Sequence, residues 1–373
     1  MLRIEKIVYP HKIKEFIDFP HDLYADDPAY VPELYLAQKD MLNPKKHPFY
    51  EHSKLDVFLA YQDDKLVGRI AAIRNNNHIE FTGKQEGFFG FFECIQDYEV
   101  AKFLFDTATA WVKKEGLTNI VGPTSFSTNE IFAWHINAFD IPPMLSMGYN
   151  KSYYPNFAEQ YGFKKKVDLF AYNIIREKVT DKSIRLLKIF EDRLKTKGIT
   201  IRCVTMKTFT EDAEKVNLVY NAAWDKNTGF VPMTKKEFMH LANDMKMIMN
   251  PEICYLAEHE DKIIGFSFCF PDMNQVLKKV KRGRLLPFGI FKLLLGRSKI
   301  KKLRVVVLGT IEGYRKLGIE ACFFGKTMQW AIDHGITNTE ASLILESNAM
   351  MNQSLLNINA EVYKTYRLYE LAL

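Results

Sequence analysis

What most limits the folds open to this chain is that it carries one pattern twice. Leu59-Ala60-Tyr61-Gln62-Asp63-Asp64-Lys65-Leu66-Val67-Gly68 aligns without a gap on Leu256-Ala257-Glu258-His259-Glu260-Asp261-Lys262-Ile263-Ile264-Gly265, an offset of 197. Residues 111–119, from Trp111 to Asn119, align on 330–338 at an offset of 219, and Asn129 meets Asn348 at that same offset. Leu169-Phe170-Ala171-Tyr172 returns to 197 against Tyr366-Arg367-Leu368-Tyr369. Matches of this kind, kept in order along the chain, mark a copied structural unit, so two similar domains follow. The change of offset from 197 to 219 and back places two 22-residue insertions, one ahead of residue 304 in the second copy and one within 131–161 in the first.

Hydrophobic periodicity and turn residues give each copy its elements. The first reads as a strand at 3–8, a helical region from about 11 to 39 interrupted by Asp26-Asp27-Pro28-Ala29-Tyr30-Val31-Pro32, and strands at 56–61, 65–74 and 87–93. A helix at 97–115, a short strand at 119–121, a helix at 153–161 ended by Gly162 and a last strand at 167–175 complete it. An amphipathic helix at 182–197 connects to the second copy, which restarts with a strand at 199–204, helices at 211–225 and 235–249, and strands at 253–258 and 262–271. The expected domains are 1–178 and 179–373, the second carrying an insertion at 272–303. The 373 residues exceed one ordinary core, and a hydrophobic content of 47% supplies two.

Composition narrows the rest. No apolar run reaches the roughly 18 residues of a membrane span, and the opening MLRIEKIVYPHK lacks a signal-peptide core, so a cytoplasmic protein is expected. Five scattered cysteines without a C-x-x-C pair read as reduced thiols, and no His/Cys/Asp spacing suggests a metal. The net charge of +6 is local: eleven Lys and Arg with no acid fall within 278–304, and without them the chain would stand at −5. That segment also holds Leu285-Leu286-Pro287-Phe288-Gly289-Ile290-Phe291, a mixture suited to a membrane surface, an acyl-chain lid or RNA, or to a plain solvated insertion.

The second copy contains the stretch with chemical meaning. Arg304-Val305-Val306-Val307-Leu308 is a β-branched run fit for a buried strand, and Gly309 to Gly313 is a polar turn. After Tyr314-Arg315-Lys316-Leu317-Gly318-Ile319, residues Cys322, Phe323, Met328, Trp330, Ala331 and Ile332 share a helical face. Strand, glycine-bearing loop and helix bring backbone N–H groups and a helix N-terminus to one place, which favours a phosphate-bearing ligand.

This stretch resembles motif A of the GNAT acyltransferases, whose loop reads Arg/Gln-x-x-Gly-x-Gly/Ala; Arg315, Gly318 and Ala321 are the matching positions, the last displaced by one after Glu320. The resemblance extends over nearly the whole chain. It implies an α/β (α+β) protein of two tandem GNAT-like domains, each a mixed, mostly antiparallel sheet flanked by helices, with acetyl-CoA or a longer acyl-CoA as co-substrate. It further implies that Leu308, Thr310, Arg315, Lys316, Leu317, Gly318 and Ile319 hold the donor, that Asn348 and Asn352 contact its pantetheine, and that the acyl group passes to an amine or peptide acceptor in the cleft between halves. Asn348 has a second reading, as a helix cap. The first copy places Gln96, Glu99 and Ala101 at the loop positions, and Glu99 with Asp97 is unfavourable to a diphosphate.

A GNAT reaction needs a base for the amine and an acid for the leaving thiolate. Glu312 and Glu346, at the ends of successive strands, are the candidate bases. The family's tyrosine acid is missing where expected, Leu355 standing there in the second copy and Ala158 in the first. Tyr149, Tyr153 and Tyr154 are the substitutes, with Tyr154 taken as the catalytic candidate. The aromatic run Gly87-Phe88-Phe89-Gly90-Phe91-Phe92-Glu93 reads as a buried strand, and Trp134-His135 as a core pair. Two other readings stay open: a FemX-like transferase using aminoacyl-tRNA, and a non-catalytic CoA- or lipid-sensing protein.

Overall fold

Strand alternation and two acidic two-residue turns build the framework. A computed structural model describes residues 1–179, 189–224 and 229–373. The chain divides into two compact units, one of Met1–Asp168, Asn274–Arg297 and Lys364–Leu373, the other of Leu169–Met273 and Ser298–Tyr363.

The first unit contains β1 (Leu2–Ile7), α1 (Ile13–Leu23), α2 (Tyr35–Met41), β2 (Lys54–Gln62), β3 (Lys65–Arg74), α3 (Asn76–Thr82), β4 (Glu86–Cys94), α4 (Tyr98–Lys114), β5 (Asn119–Gly122), β6 (Trp134–His135) and α5 (Tyr154–Tyr161). Its strand order is β1-β2-β3-β4-β5, followed by the final strand of the chain, β13 (Glu361–Ala372), with β6 also on β13. Neighbours are antiparallel except β4 and β5, which pair in parallel from Glu86↔Asn119 to Phe88↔Val121. The single helical region expected over 11–39 is two helices, because the Pro28 to Pro32 stretch cannot continue one. The unexpected α3 begins where the Asn75 side chain accepts the His78 amide at 3.0 Å. Phe89, Phe92, Phe105, Trp134 and Tyr154 fill the core.

The second unit contains the later part of β7 (Lys164–Ile175), α6 (described over 189–195), β8 (Ile199–Cys203), α7 (Phe209–Trp224), α8 (Lys235–Lys246), β9 (Cys254–His259), β10 (Lys262–Pro271), β11 (Lys302–Thr310), α11 (Ile319–Asp333), β12 (Asn338–Leu345) and α12 (Ala349–Asn357). The order is β8-β9-β10-β11-β12-β7, and only β11 and β12 are parallel. Two helices of the 272–303 insertion, α9 (Asn274–Leu277) and α10 (Gly289–Gly296), group with the first unit. Of the helices expected over 182–197 and 211–225, residues 182–188 and 225 lie outside the described residues.

The duplication is visible in detail. The turns Asp63-Asp64 and Glu260-Asp261 both take positive φ at their two residues, 48° and 64° against 50° and 59°, the geometry whose twist suits a tight hairpin. The compact units depart from the expected boundary at 178/179 for two physical reasons. From Leu169 onward β7 pairs with β12, while β13 pairs with β5, so each copy's last strand completes the other copy's sheet. The insertion is tied to α1, where Arg284 forks onto the Asp18 carboxylate with both contacts at 2.9 Å.

Candidate functional site

In the second unit β11 and β12 pair for only four residues, Lys302↔Asn338 to Val305↔Ala341. Beyond that point the β10 register slips between Phe268 and Cys269, leaving Val306 as an extra residue on β11. A bulge of this kind turns a strand away from its neighbour. Leu303, Arg304 and Val305 are buried, but Val306, Val307 and Leu308 are half-exposed, as are Leu343, Ile344 and Leu345 on β12. Two parallel strands that part while their apolar side chains stay half-open form a slot. In the first unit the counterpart strand β4 is buried at every position but Phe91, and Phe89 and Phe92 pack on Trp134 at ring separations of 5.7 and 5.3 Å.

The loop after β11 is braced from within. Arg315 turns back on the main chain, donating to the Thr310 carbonyl at 3.1 Å and the Ala223 carbonyl at 2.7 Å. The Tyr314 hydroxyl meets His259 Nδ1 at 2.9 Å. Lys316 and Gly318 both have positive φ, 65° and 97°. A Cβ on Gly318 would stand 2.6 Å from the Phe190 ring, so glycine is required there by both backbone and space. Helix α11 opens with the Cys322 amide on the Gly318 carbonyl at 3.0 Å. Among the described residues, the backbone N–H groups of 316–321 meet no protein acceptor. The buried Thr310 hydroxyl is likewise unpaired. Exposed Lys316 adds a positive charge, and half-buried Glu320 a negative one in the helix's first turn. Such a row of amides at a helix start accepts an anionic group.

Leu308, Thr310 and the residues from Arg315 to Ile319 therefore form one continuous strand, loop and helix start. Glu312 and Glu346 are exposed just beyond the ends of β11 and β12. Asn348 caps α12, its side chain accepting the Met351 amide at 3.1 Å. Asn352 donates to the Leu345 carbonyl at 3.1 Å and accepts from the Tyr172 hydroxyl at 2.9 Å. Sequence reasoning missed Tyr172. It is 2% exposed, burial raises its phenol pKa, and it pairs with Ala341 where the strands part. Its match to Tyr369 in the repeat was the available signal.

Tyr154 lies in the first unit, apart in sequence and unit from Glu312 and Glu346. It is fully buried, donating to Glu93 at 2.7 Å and accepting the Cys94 amide at 2.9 Å. Glu93 also accepts from Tyr24 at 2.8 Å, and burial pushes its carboxyl up to about 7. This buried acid was missed because it ends an aromatic strand read as core. Beside it an open pocket of ≈ 440 Å³ is lined by Asp27, Gln96, Tyr149, Asn150, Lys151 and Tyr153 among others. Burial pushes Tyr149 and Tyr153 up as well. At the start of α4 the Asp97 carboxylate accepts the Glu99 amide at 2.9 Å, so a negative group already sits at the counterpart of the second unit's loop. Among the described residues no cluster of three metal-ligating side chains occurs, and no helix is long and apolar enough to cross a membrane.

This architecture is the tandem GNAT fold. A tandem GNAT protein from the clavulanic acid biosynthesis pathway superposes with a TM-score of 0.58 at 11% identity, over 100% of this chain and 98% of that one. A GCN5-related N-acetyltransferase from Sphaerobacter thermophilus superposes at 0.53 and 11% identity, over 100% and 95%. No protein-family model matches. Full-length relatives do: Protein YghO of Escherichia coli (strain K12) is 34% identical over 364 residues, 96% of this chain and 92% of that protein. The bacterial ceramide synthase of Caulobacter vibrioides (strain NA1000 / CB15N) is 31% identical over 382 residues, 100% of this chain and 98% of that protein. The chain belongs to the family of these two proteins.

Proposed function

We propose that this protein is an acyl-CoA-dependent N-acyltransferase whose second unit holds the donor. The observation that carries this reading is the half-open slot between β11 and β12 leading to amides at 316–321 that meet no acceptor among the described residues, against a filled counterpart and the Asp97 carboxylate in the first unit. In this reading the diphosphate lies on those amides and Lys316, with Arg315 bracing the loop from behind. The pantetheine runs along the half-exposed side chains of β11 and β12. Asn348 and Asn352 act through α12, whose start and position they fix.

Acyl transfer to an amine forms a C–N bond and breaks the thioester C–S bond, so the amine must lose a proton and the thiolate gain one. Glu312 or Glu346 takes the first proton, directly or through water. For the second we assign the hydroxyl of Tyr172, which donates to Asn352 Oδ1 beside the parting strands of the second unit, ahead of Tyr154, which belongs to the first unit.

The acceptor we propose is a long-chain 2-amino-1,3-diol, the amine that a ceramide carries in acylated form. The name of a relative matched along 98% of its length supports it. The test supplies labelled acetyl- and palmitoyl-CoA with such an amino-diol and with short amines. Amide formation from palmitoyl-CoA and the amino-diol is expected. Saturable CoA binding without any amide product, or product only from aminoacyl-tRNA, contradicts the reading.

A further inference from the structure

The 274–297 insertion has two unlike faces. One is fastened within the first unit: Arg284 forks onto Asp18, Arg282 pairs with Asp22, and a Cβ on Gly283 would stand 1.7 Å from the Glu33 carbonyl oxygen. The other face is bare. Leu286, Phe288, Ile290, Phe291, Leu294 and Leu295 are exposed, Leu286 by 79% and Leu295 by 74%. Of seventeen large apolar side chains exposed among the described residues, these six fall within ten consecutive positions. Proteins seldom keep so dense an apolar patch in water without a surface to cover it.

Cations surround the patch. Lys278, Lys279, Lys281, Lys292 and Arg297 are exposed, and no acid occurs from 274 to 304. Two candidate coverings fail one half of this description. A second copy of the chain would bury the apolar side chains but add more positive charge. An RNA would meet the cations and leave the phenylalanines and leucines in water. An anionic bilayer surface satisfies both, with apolar side chains at the headgroup boundary and lysines reaching lipid phosphate. The eight residues of α10 fall well short of a span, so the segment would lie on the membrane.

We infer that the 274–297 insertion seats this protein on an anionic membrane surface. Leu286, Phe288, Phe291, Leu294 and Leu295 enter the interface, and Lys279 and Lys292 stand at its rim. The inference is independent of the acyl-transfer reading, because it is read by binding alone.

The test floats the full-length protein with vesicles of phosphatidylcholine alone and of phosphatidylcholine mixed with phosphatidylglycerol. Binding to the mixed vesicles is expected, falling as salt is raised. Phe291→Asp with Leu294→Asp should abolish it. Lys279→Gln with Lys292→Gln should weaken it roughly 30-fold, at about 1 kcal/mol for each charge. All four positions are exposed, and unchanged thermal melting confirms that the variants fold. Equal binding to both vesicle types, or binding unaffected by the aspartates, overturns the proposal. So does salt-sensitive RNA binding without vesicle binding, or a dimer dissolved by Phe291→Asp in a protein that ignores vesicles.

Discussion

Glu93 shows how one side chain couples packing to titration. Two tyrosine hydroxyls hold its carboxyl, and burial raises it to about 7 from an ordinary value of 4.5. A carboxyl with a raised folded-state pKa stabilises the fold fully below its unfolded value and loses that contribution as pH climbs through the folded one. Glu93 should therefore contribute about 3 kcal/mol less to the unfolding free energy at roughly pH 7.5 than at pH 4.5, against the opposite trend of His21 and His135, whose imidazoles burial pushes down to about 4. The stability difference between the parent and Glu93→Gln, followed by denaturant titration along a pH series, should fall by that amount across the interval, and a difference that does not change with pH contradicts the assignment. Tyr172→Phe, at the same scale, should lower kcat about a hundredfold with KM for acyl-CoA unchanged, as for a lost general acid. An unchanged kcat would leave Tyr172 as packing only. Glu93 could not be picked out from sequence, because an acid ending Phe-rich β4 reads as an ordinary strand residue until its partner Tyr24 is seen, and for Tyr172 the repeat match to Tyr369 marked the position but not its partner Asn352.

At the level of elements, the β11–β12 pair is held by a buried ion pair. Arg304 and Glu340 are cross-strand partners, 3.3 Å apart and at most 4% exposed, and Glu340 also accepts from Ser342 and Tyr363. Taking away one charge of such a pair leaves the other buried, which costs about 3–5 kcal/mol. Glu340→Ala should show that loss in denaturant melts, and Arg304→Met with Glu340→Leu should recover most of it. A loss below about 1 kcal/mol in the single variant, typical of a solvated pair, contradicts the account. The strands themselves were legible, since alternation and hairpin turns are local: β3 occupies the expected 65–74 and β10 the expected 262–271. The exchange of β7 and β13 was not. Their repeat-related sequences suit either sheet, and the choice depends on pairing across the whole chain. The turn of Arg315 onto the Thr310 and Ala223 carbonyls was not readable, because a sequence motif does not specify where a guanidinium points.

The whole molecule carries a duplication whose copies have diverged in chemistry more than in fold. The helix after the counterpart strand and loop begins with amides that meet no acceptor among the described residues in one copy, and with a capping carboxylate in the other. The acyl-donor site proposed above occurs once per chain, and binding stoichiometry reads that number directly. Calorimetric titration of CoA into the parent, Lys316→Glu and Gly318→Glu proteins, each first shown to melt cooperatively, is the decisive measurement. The account predicts one CoA per chain in the parent, affinity at least about tenfold weaker when Lys316 is reversed, as for a lost charge-assisted contact, and no measurable binding with glutamate at 318. Undiminished affinity in both variants, or two CoA per chain, would contradict it.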